Sequence, residues 1–290
     1  MQVGRRKTGD ALLYYIILLI GMLKNRNMPL VFKVFPCLSD NVGILLHDPR
    51  AQITIAVDAP DAHALINILD EQQWDLTHIL LTHKHADHIE GVSTLKKRFG
   101  AHVYGPLEIP AGLVDIRVNP GDQLVLRSKE DSAYVFRVLG APGHTLGHVA
   151  YWYESQKWLF VGDVLFALGC GRLFEGTGAQ MWQTLETFKQ FPDDTLIFCG
   201  HEYTCRNADF VLSLEPNNKS VRQRAQEATQ AVQEGCVRVP FPLGIEKQLN
   251  PFLRTQDREL QKILFPDEEL ENPLNPVAVF SELRQRRDHF

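Results

Sequence analysis

The sequence predicts an α+β protein, in which a sandwich of two mixed sheets with helices on the outside precedes a smaller helical region. From residue 29 to residue 202, short strand-like runs alternate with turns and a few helical stretches. From residue 205 onward the strand-like runs fade and helix-favouring patterns dominate. With 290 residues, of which 44% are hydrophobic and 22% charged, the chain is typical of globular proteins with one or two domains. We place a main domain at residues 28–203 and a helical domain at residues 204–290.

The individual elements are predicted from hydrophobic periodicity and from the turn residues that separate them. Strands are predicted at residues 53–57, 78–81, 134–139, 158–161 and 195–199. A turn at residues 58–60 leads into a helical pattern with Leu65, Ile66 and Leu69. Further helices are predicted at residues 89–99, 180–191, 222–233, 257–264 and 277–287.

The first 27 residues differ from the rest of the chain. Arg5, Arg6 and Lys7 precede an apolar run at residues 11–23, an order typical of a signal peptide, but no small-residue cleavage site follows. The run is also shorter than the roughly 20 residues that cross a membrane as a helix. We therefore interpret residues 1–27 as an extension from an upstream start site that lies outside the fold, with a membrane anchor as the alternative.

Charge and cysteine content argue against two classes of protein. The formal net charge of −5 gives no basic surface for nucleic acid, so we expect no nucleic-acid partner. The five cysteines are an odd number and none lies in a Cys-x-x-Cys pair, which argues against a disulfide framework. Such cysteines indicate a reducing compartment, and we expect a cytoplasmic protein. A monomer without a membrane partner is the expected state.

The most informative segment is residues 82–91, which contains three histidines and an aspartate in the pattern His-x-His-x-Asp-His. His83 and His85 alternate along an extended stretch, so both imidazoles can point the same way. Asp87 and His88 follow at a turn and can reach a second point nearby. Because imidazole and carboxylate ligands together suit zinc, iron or manganese, the segment predicts a metal site.

Three more candidate ligands lie downstream, each just beyond a predicted strand. His144, Asp163 and His201 each follow a glycine after a short apolar run, and His83 follows the predicted strand at residues 78–81 in a similar way. Rigid strands that present polar groups from their connecting loops are the usual way in which a scaffold builds a site. The set therefore predicts one metal centre assembled from four loops.

These motifs resemble the metal-binding motifs of the metallo-β-lactamase superfamily, and three further stretches resemble its glyoxalase II (hydroxyacylglutathione hydrolase) branch. The superfamily motifs are His83-x-His85-x-Asp87-His88, Gly143-His144-Thr145-x-Gly147-His148, Gly162-Asp163 and Gly200-His201. The stretches specific to the branch cover residues 169–176, 200–204 and 250–254. The resemblance extends from about Pro29 to the C-terminus and implies an αββα sandwich with a smaller C-terminal helical domain.

The resemblance implies two divalent metal ions, with zinc as the expected metal and iron or manganese as alternatives. The ligands that it implies are His83, His85 and His144 for the first ion, and Asp87, His88 and His201 for the second. Asp163 is expected to bridge the ions, because a carboxylate offers two oxygens, and Asp87 and Asp163 are the candidate catalytic carboxylates. Asp58, His148 and Glu202 are candidates for orienting the ligands.

The reaction that the resemblance implies is hydrolysis of a glutathione thioester. Water between two metal ions becomes acidic and can attack the carbonyl. The expected substrate is an S-(2-hydroxyacyl)glutathione such as S-D-lactoylglutathione, which yields glutathione and D-lactate in the second step of methylglyoxal detoxification. Because a thiolate is a good leaving group, no dedicated general acid is needed.

The resemblance also implies a glutathione pocket that contains Arg172, Phe174, Tyr203 and Arg254. Two of these residues depart from the family pattern. Arg172 replaces a lysine and keeps the charge, whereas Phe174 replaces a tyrosine and cannot donate a hydroxyl hydrogen bond. We expect the helical domain to serve binding, so that Arg254→Ala raises KM and leaves kcat nearly unchanged.

Four alternatives stay open at this point. A persulfide dioxygenase of the same superfamily would use a single iron, but here all seven ligands are present. A lactonase would share the metals but not the Arg172 and Arg254 pocket, and an RNase of the superfamily would carry a basic surface. A non-catalytic interaction protein with this fold would usually have lost a ligand, and none is lost here.

Overall fold

The computed structural model of the protein describes residues 30–127, 133–267 and 272–290. The extension predicted at residues 1–27 lies outside them. Within these ranges, no helix combines the length and the apolar composition needed to cross a membrane. The described chain forms two six-stranded sheets, a two-stranded hairpin and nine α-helices.

The first sheet contains strands β1 to β6 in sequential order. They are β1 (Val31–Cys37), β2 (Asn41–Asp48), β3 (Ile53–Val57), β4 (His78–Leu80), β5 (His102–Gly105) and β6 (Ile116–Arg117). The first three strands pair antiparallel, whereas β3 to β6 pair parallel. Parallel neighbours need crossover connections. These include α1 (Ala62–Gln72) between β3 and β4, and α2 (Ala86–Ile89) and α3 (Val92–Phe99) between β4 and β5.

The second sheet has the strand order β14-β13-β10-β9-β8-β7. The remaining strands are β7 (Gln123–Arg127), β8 (Ala133–Gly140), β9 (Val149–Tyr153), β10 (Trp158–Gly162), β11 (Leu165–Phe166), β12 (Gly169–Cys170), β13 (Leu196–Cys199) and β14 (Phe241–Pro242). β11 and β12 form a separate hairpin between β10 and helix α4 (Gly178–Lys189). The hairpin directly follows Asp163 and therefore begins at the predicted metal centre.

Two hydrophobic cores hold the layers together. One lies between the sheets and contains Ile55 of β3 and Phe160 of β10, both fully buried. The other lies between the first sheet and its helices and contains Leu65 of α1 and Leu95 of α3. All five residues of β3 are buried, since both faces of the strand are covered. This explains why its sequence is a continuous apolar run rather than an alternating one.

The region after residue 203 consists mainly of helices. They are α5 (Thr204–Leu214), α6 (Lys219–Gln233), α7 (Leu243–Leu249), α8 (Arg258–Leu264) and α9 (Pro276–His289), with a 3-10 turn at Pro251–Leu253. Phe252, Phe280 and Leu283 of this region belong to the same hydrophobic cluster as Ile55 and Phe160. The region also supplies β14, which pairs with β13. The helical region and the sandwich therefore share a core and a sheet.

The predicted sandwich with its helical region is confirmed, but the helix predicted at residues 89–99 is divided. The chain leaves the helical hydrogen-bond pattern at Gly91, whose N–H donates to the Ala59 carbonyl at 2.9 Å. A Cβ at Gly91 would lie 2.8 Å from that oxygen, so only glycine permits this approach. The break holds residues 83–88, which contain four of the predicted metal ligands, against the loop that follows β3.

Candidate metal centre

The predicted ligands come together at one edge of the sandwich, on loops that follow four strands. Residues 83–88 follow β4, His144 follows β8, Asp163 follows β10 and His201 follows β13. Two backbone hydrogen bonds connect the sheets at this edge, from Val149 N to Thr82 O at 2.9 Å and from Val42 N to Gly200 O at 2.8 Å. The loops are therefore fixed relative to one another by the sheets.

His83, His85 and His144 form the first group, whose ligand atoms lie within 4.8 Å of one another. Nδ1 of His85 lies 3.1 Å from Nε2 of His83 and 2.9 Å from Nε2 of His144. Nδ1 of His144 donates to the Arg172 carbonyl at 2.8 Å. Because a carbonyl only accepts, this bond leaves the Nε2 lone pair of His144 facing the other two imidazoles.

Asp87, His88 and His201 form the second group, again within 4.8 Å. The Nε2 atoms of His88 and His201 lie 3.3 Å apart, and Asp87 Oδ2 lies 3.3 Å from His201 Nε2. Nδ1 of His88 donates to Asp58 and Nδ1 of His201 donates to Asp40, each at 2.9 Å. These carboxylates fix the tautomers, so both Nε2 lone pairs face the same point.

Asp163 lies between the two groups. Its Oδ2 is 3.4 Å from His144 Nε2 and 3.3 Å from His201 Nε2, and its Oδ1 is 3.4 Å from His88 Nε2. Asp163 is buried and its Oδ1 has no hydrogen-bond partner. An unpaired buried acceptor beside converging nitrogen lone pairs is unfavourable unless cations lie among them. The imidazole and carboxylate donors therefore fit a dinuclear metal site.

Two of the three predicted orienting residues contact ligands. Asp58 accepts from His88 and also from the backbone and hydroxyl of Thr82, both at 2.8 Å. His148 accepts at Nε2 from the Asp163 N–H at 3.2 Å. Its ring stacks on that of His83 with a centroid distance of 4.8 Å. Each of the two therefore fixes one ligand and supports a neighbour.

Glu202, the third predicted orienting residue, points elsewhere. Its Oε1 accepts from the Thr204 N–H at 3.1 Å and its Oε2 from the Arg238 N–H at 2.6 Å. Glu202 thus ties the start of α5 to the segment before β14. Among the described residues, no contact of its side chain reaches a metal-type ligand.

Asp40 and Asn41 contribute to the centre although their sequence context does not reveal it. Asp40 accepts from His201 Nδ1, and Asn41 Nδ2 donates to Asp87 at both Oδ2 (3.2 Å) and the carbonyl (3.1 Å). Ser39, Asp40 and Asn41 have the composition of an ordinary turn. Only the position of this turn beside β13 brings the two side chains to the ligands.

Glu108 is a further residue that the sequence did not single out. Its carboxylate accepts from the Thr145 hydroxyl at 2.7 Å and from the Gly147 N–H at 2.9 Å. A Cβ at Gly147 would lie 2.7 Å from Glu108 Oε2, so a larger residue there would displace the carboxylate. The loop between His144 and His148 is therefore held by a carboxylate from the loop after β5.

Burial and neighbouring charges give the two groups opposite electrostatics. Burial lowers the pKa of His83 well below its usual value, and the charges of His88 and His148 act in the same direction. Burial also opposes protonation of His201, but the Asp163 carboxylate outweighs it and the pKa of His201 is raised to about 10. The second group therefore attracts positive charge, as expected where two carboxylates meet.

Phe174 and Tyr203 flank the two groups on either side. The ring of Phe174 is 60% exposed and lies edge-on to His85 and His144, with centroid distances of 5.3 and 5.2 Å. Tyr203 stacks on His201 with a centroid distance of 4.9 Å and an interplanar angle of 5°. Both predicted pocket residues therefore lie next to metal-type ligands and can contact a molecule bound there.

Arg172 belongs to a group of four arginines that we call the arginine cluster. Its members are Arg172, Arg206, Arg284 and Arg287. Asp288 Oδ1 accepts from Arg172 Nε at 3.2 Å and from Arg284 Nη2 at 3.0 Å. Burial and the guanidinium groups of Arg284, Arg172 and Arg206 lower the pKa of Arg287. Among the described residues, Asp288 is the one carboxylate paired with the cluster, which therefore carries excess positive charge.

Arg254 is not brought to this cluster. Its Nη1 lies 2.8 Å from Glu215 Oε1 and its Nη2 lies 2.7 Å from Asp257 Oδ2. Glu215 caps the end of α5, whereas Tyr203 lies at its start, so the eleven residues of α5 separate the two positions. A helix of that length spans about 16 Å. Arg254 is therefore compensated by two carboxylates and lies away from the metal-type ligands.

Known families and relatives match nearly the whole described chain. The model described as "Metallo-beta-lactamase superfamily" matches residues 56–201, and that described as "Hydroxyacylglutathione hydrolase C-terminus" matches residues 202–290. A hydroxyacylglutathione hydrolase from Rhizobium meliloti is 40% identical over 265 residues, which cover 90% of this chain and 99% of that protein. One from Bradyrhizobium sp. is 43% identical over 258 residues, covering 88% and 97%.

Solved structures show the same fold at lower identity. ETHE1 from Myxococcus xanthus has a TM-score of 0.59 and 24% identity, and the match covers 89% of this chain and 98% of that one. The protein TTHA1623, in a di-iron-bound form, has a TM-score of 0.55 and 22% identity, with 77% of this chain and 100% of that one covered. The predicted fold and resemblance are confirmed, and the chain belongs to the hydroxyacylglutathione hydrolase family within the metallo-β-lactamase superfamily.

Proposed function

We propose that the protein hydrolyses S-(2-hydroxyacyl)glutathione thioesters, with S-D-lactoylglutathione as substrate and glutathione and D-lactate as products. The observation that carries this proposal is the position of the arginine cluster beside a dinuclear metal site. The backbone carbonyl of Arg172 accepts a hydrogen bond from His144, and the guanidinium of Arg172 donates to Asp288, the carboxylate of the cluster. One end of the site thus suits a carbonyl under attack, and the other suits an anionic thiol moiety. We assign this reaction to the second step of methylglyoxal detoxification.

We propose the following ligands for the two ions. His83, His85 and His144 would hold the first, Asp87, His88 and His201 would hold the second, and Asp163 would contribute to both. Zinc is the metal that we propose, with iron and manganese as alternatives, because all three accept mixed imidazole and carboxylate ligands. When bound, the pair of ions supplies acidified water and polarises the thioester carbonyl. Asp87 and Asp163 are thus the carboxylates on which catalysis depends.

The residues around the ions have separable tasks in this proposal. Tyr203 and Phe174 line the two sides of the substrate, and Arg172 and Arg287 bind its carboxylates. Glutathione carries a carboxylate at each end, and guanidinium groups bind carboxylates in a planar, two-donor geometry. The thiolate leaves without protonation, so no side chain is required as a general acid. We assign Arg254 to stabilising the end of α5, because its donors already contact Glu215 and Asp257.

The two predicted domains have different roles in this proposal. We propose that residues 28–203 provide the metal ligands and that residues 204–290 provide part of the substrate site, since Arg206, Arg284 and Arg287 lie in the latter. The five cysteines are free, which supports the proposal of a reducing compartment, the cytoplasm. A monomer is proposed as well, because every ligand and pocket residue named above comes from one chain.

The test of this proposal combines two thioesters with metal analysis. The purified protein should contain two transition-metal ions per chain and hydrolyse S-D-lactoylglutathione. Its kcat/KM should fall steeply when a small neutral thiol carries the same lactoyl group, because binding energy from the remote part of the substrate is lost. Equal kcat/KM on both thioesters would count against the glutathione site. A single iron and faster oxygen-dependent turnover of glutathione persulfide would favour a dioxygenase instead.

A further inference from the structure

We propose that Asn250 and Glu246 of the helical region are positioning residues that hold the β11–β12 hairpin, and with it Asp163 and Arg172, in the active geometry. The hairpin has only two residues in each strand. An isolated two-stranded hairpin is marginal in water even when it is longer. Its conformation must therefore be imposed by the surrounding structure.

The helical region supplies side-chain partners to every residue from Phe166 to Cys170. Asn250 Nδ2 donates to the carbonyls of Phe166 (3.2 Å) and Gly169 (3.0 Å). The Ala167 carbonyl accepts from Asn207 Nδ2 (3.0 Å), and the Cys170 carbonyl accepts from Arg284 Nη1 (2.9 Å). The Leu168 N–H donates to Glu246 Oε2 (2.7 Å). Leu168 has a φ of 59°, which is unfavourable for a residue with a side chain. These contacts thus fix a backbone conformation that the hairpin sequence does not favour by itself.

Asn250 and Glu246 are fully buried, and besides the hairpin their polar atoms contact each other and the rest of the helical region. Asn250 Nδ2 also donates to Glu246 Oε2 at 3.1 Å, and Asn250 Oδ1 accepts from the Phe252 N–H at 3.1 Å. Glu246 Oε1 lies 2.7 Å from Arg224 Nη2. Burying a carboxylate costs several kcal/mol, on the order of what its pairing returns. The gain from this arrangement is therefore a defined geometry rather than stability alone.

The ends of the hairpin transmit this geometry to the metal centre. The Gly171 N–H donates to the Val164 carbonyl at 3.0 Å and closes the base of the hairpin. A Cβ at Gly171 would lie 1.8 Å from the Asp163 carbonyl oxygen, so the two strands meet there without free space. The next residue, Arg172, accepts from His144 through its carbonyl. A shift of the hairpin would therefore displace the bridging carboxylate and a metal-type histidine together.

The test uses Asn250→Leu, with Gln261→Leu as the matched control. Gln261 is also a fully buried amide of the helical region, with bonds to Thr255 O at 3.0 Å and from Leu274 N at 3.2 Å, and among the described residues none of its side-chain hydrogen bonds reaches the hairpin. Both variants should lower Tm. Only Asn250→Leu should accelerate metal release from the holoenzyme to a chelator and raise KM for S-D-lactoylglutathione, each about tenfold, as for other residues that orient ligands.

Metal release tests the positioning role of Asn250 alone, whereas KM for S-D-lactoylglutathione also rests on the proposed function. Metal release needs no substrate, so a difference between the variants in a protein inactive on S-D-lactoylglutathione would reject the function and support the positioning role. Equal metal release and equal KM in the two variants would overturn the positioning role. If Asn250→Leu does not fold, Asn250→Asp keeps the volume and the bond from Phe252 but loses the Nδ2 donors. It should show the same two changes, and wild-type values would overturn the proposal.

Discussion

The metal centre and the arginine cluster lie side by side, but they are built in different ways. The ligands of the metal centre are mostly buried and sit on loops held by the strands of both sheets. The arginine cluster is less uniformly buried, since the Arg172 side chain is 58% accessible and that of Arg284 is 8% accessible, and three of its four members come from α5 and α9. The first region depends on short motifs whose spacing is local. The second depends on how two distant helices pack against the hairpin.

This difference predicts how substitutions in each region affect catalysis and binding. In the metal centre, tautomers are fixed by partners such as Asp58 and Asp40, so a change in any partner affects the ligand geometry. In the cluster, Arg172 and Arg284 share Asp288, and the four guanidinium groups contribute mainly positive charge rather than ligand geometry. Changes in the first region should therefore affect kcat, and changes in the second should affect KM.

The largest effect is expected for Asp163→Ala. Removal of the carboxylate between the two groups should reduce kcat on S-D-lactoylglutathione to background and lower the metal content below two ions per chain. Elemental analysis and initial rates measure both. Asp194→Ala, which removes an exposed aspartate paired with Lys157, is the control and should leave both unchanged. An Asp163→Ala protein with full metal content and activity would contradict the bridging role.

An intermediate effect is expected for Arg287→Gln. Loss of a hydrogen bond to a charged group costs about 1.5 kcal/mol, so KM should rise about tenfold while kcat stays within about twofold. The same change should leave KM for a lactoyl thioester of a small neutral thiol unaltered. A large fall in kcat would show instead that the cluster contributes to the metal centre.

Arg254→Gln should be measured beside Arg287→Gln, because the sequence and the structure lead to different expectations for Arg254. The family resemblance predicts a rise in KM. Its pairing with Glu215 and Asp257 predicts an unchanged KM and a loss of stability of about 2 kcal/mol, somewhat below the cost of breaking a fully buried pair. Urea denaturation and KM measured on the same preparation decide between the two.

The smallest effect is expected for Phe174→Tyr. The ring lies beside His85 and His144 and is 60% exposed, so the change adds a hydroxyl to a side chain that already faces solvent. One neutral hydrogen bond to glutathione is worth about 1 kcal/mol, which should lower KM about fivefold. Inhibition by glutathione should strengthen in parallel. Unchanged values would place the thiol moiety away from Phe174.

The sequence predicted the sandwich and the groups of metal-type residues because both depend on local patterns. Apolar runs ending at His83, His144, Asp163 and His201 mark strands and the loops beyond them, and the structure places all four together. Asp40 escaped prediction because a turn composition carries no sign of which loop it will meet. Arg287 escaped for a similar reason, since one arginine in a basic helix end is not distinguishable from a solvated charge.

The strand β14 gives the helical region one more consequence. β14 is the outermost strand of the second sheet and pairs with β13, which leads directly to His201. Without it, β13 would present unpaired N–H and C=O groups, and an open strand edge is a template for association between molecules. Pro242 in β14 cannot donate a backbone hydrogen bond, so it helps to prevent a further strand from adding to that edge. The segment after residue 203 thus covers part of an edge of the catalytic sandwich that would otherwise be open to association with another molecule.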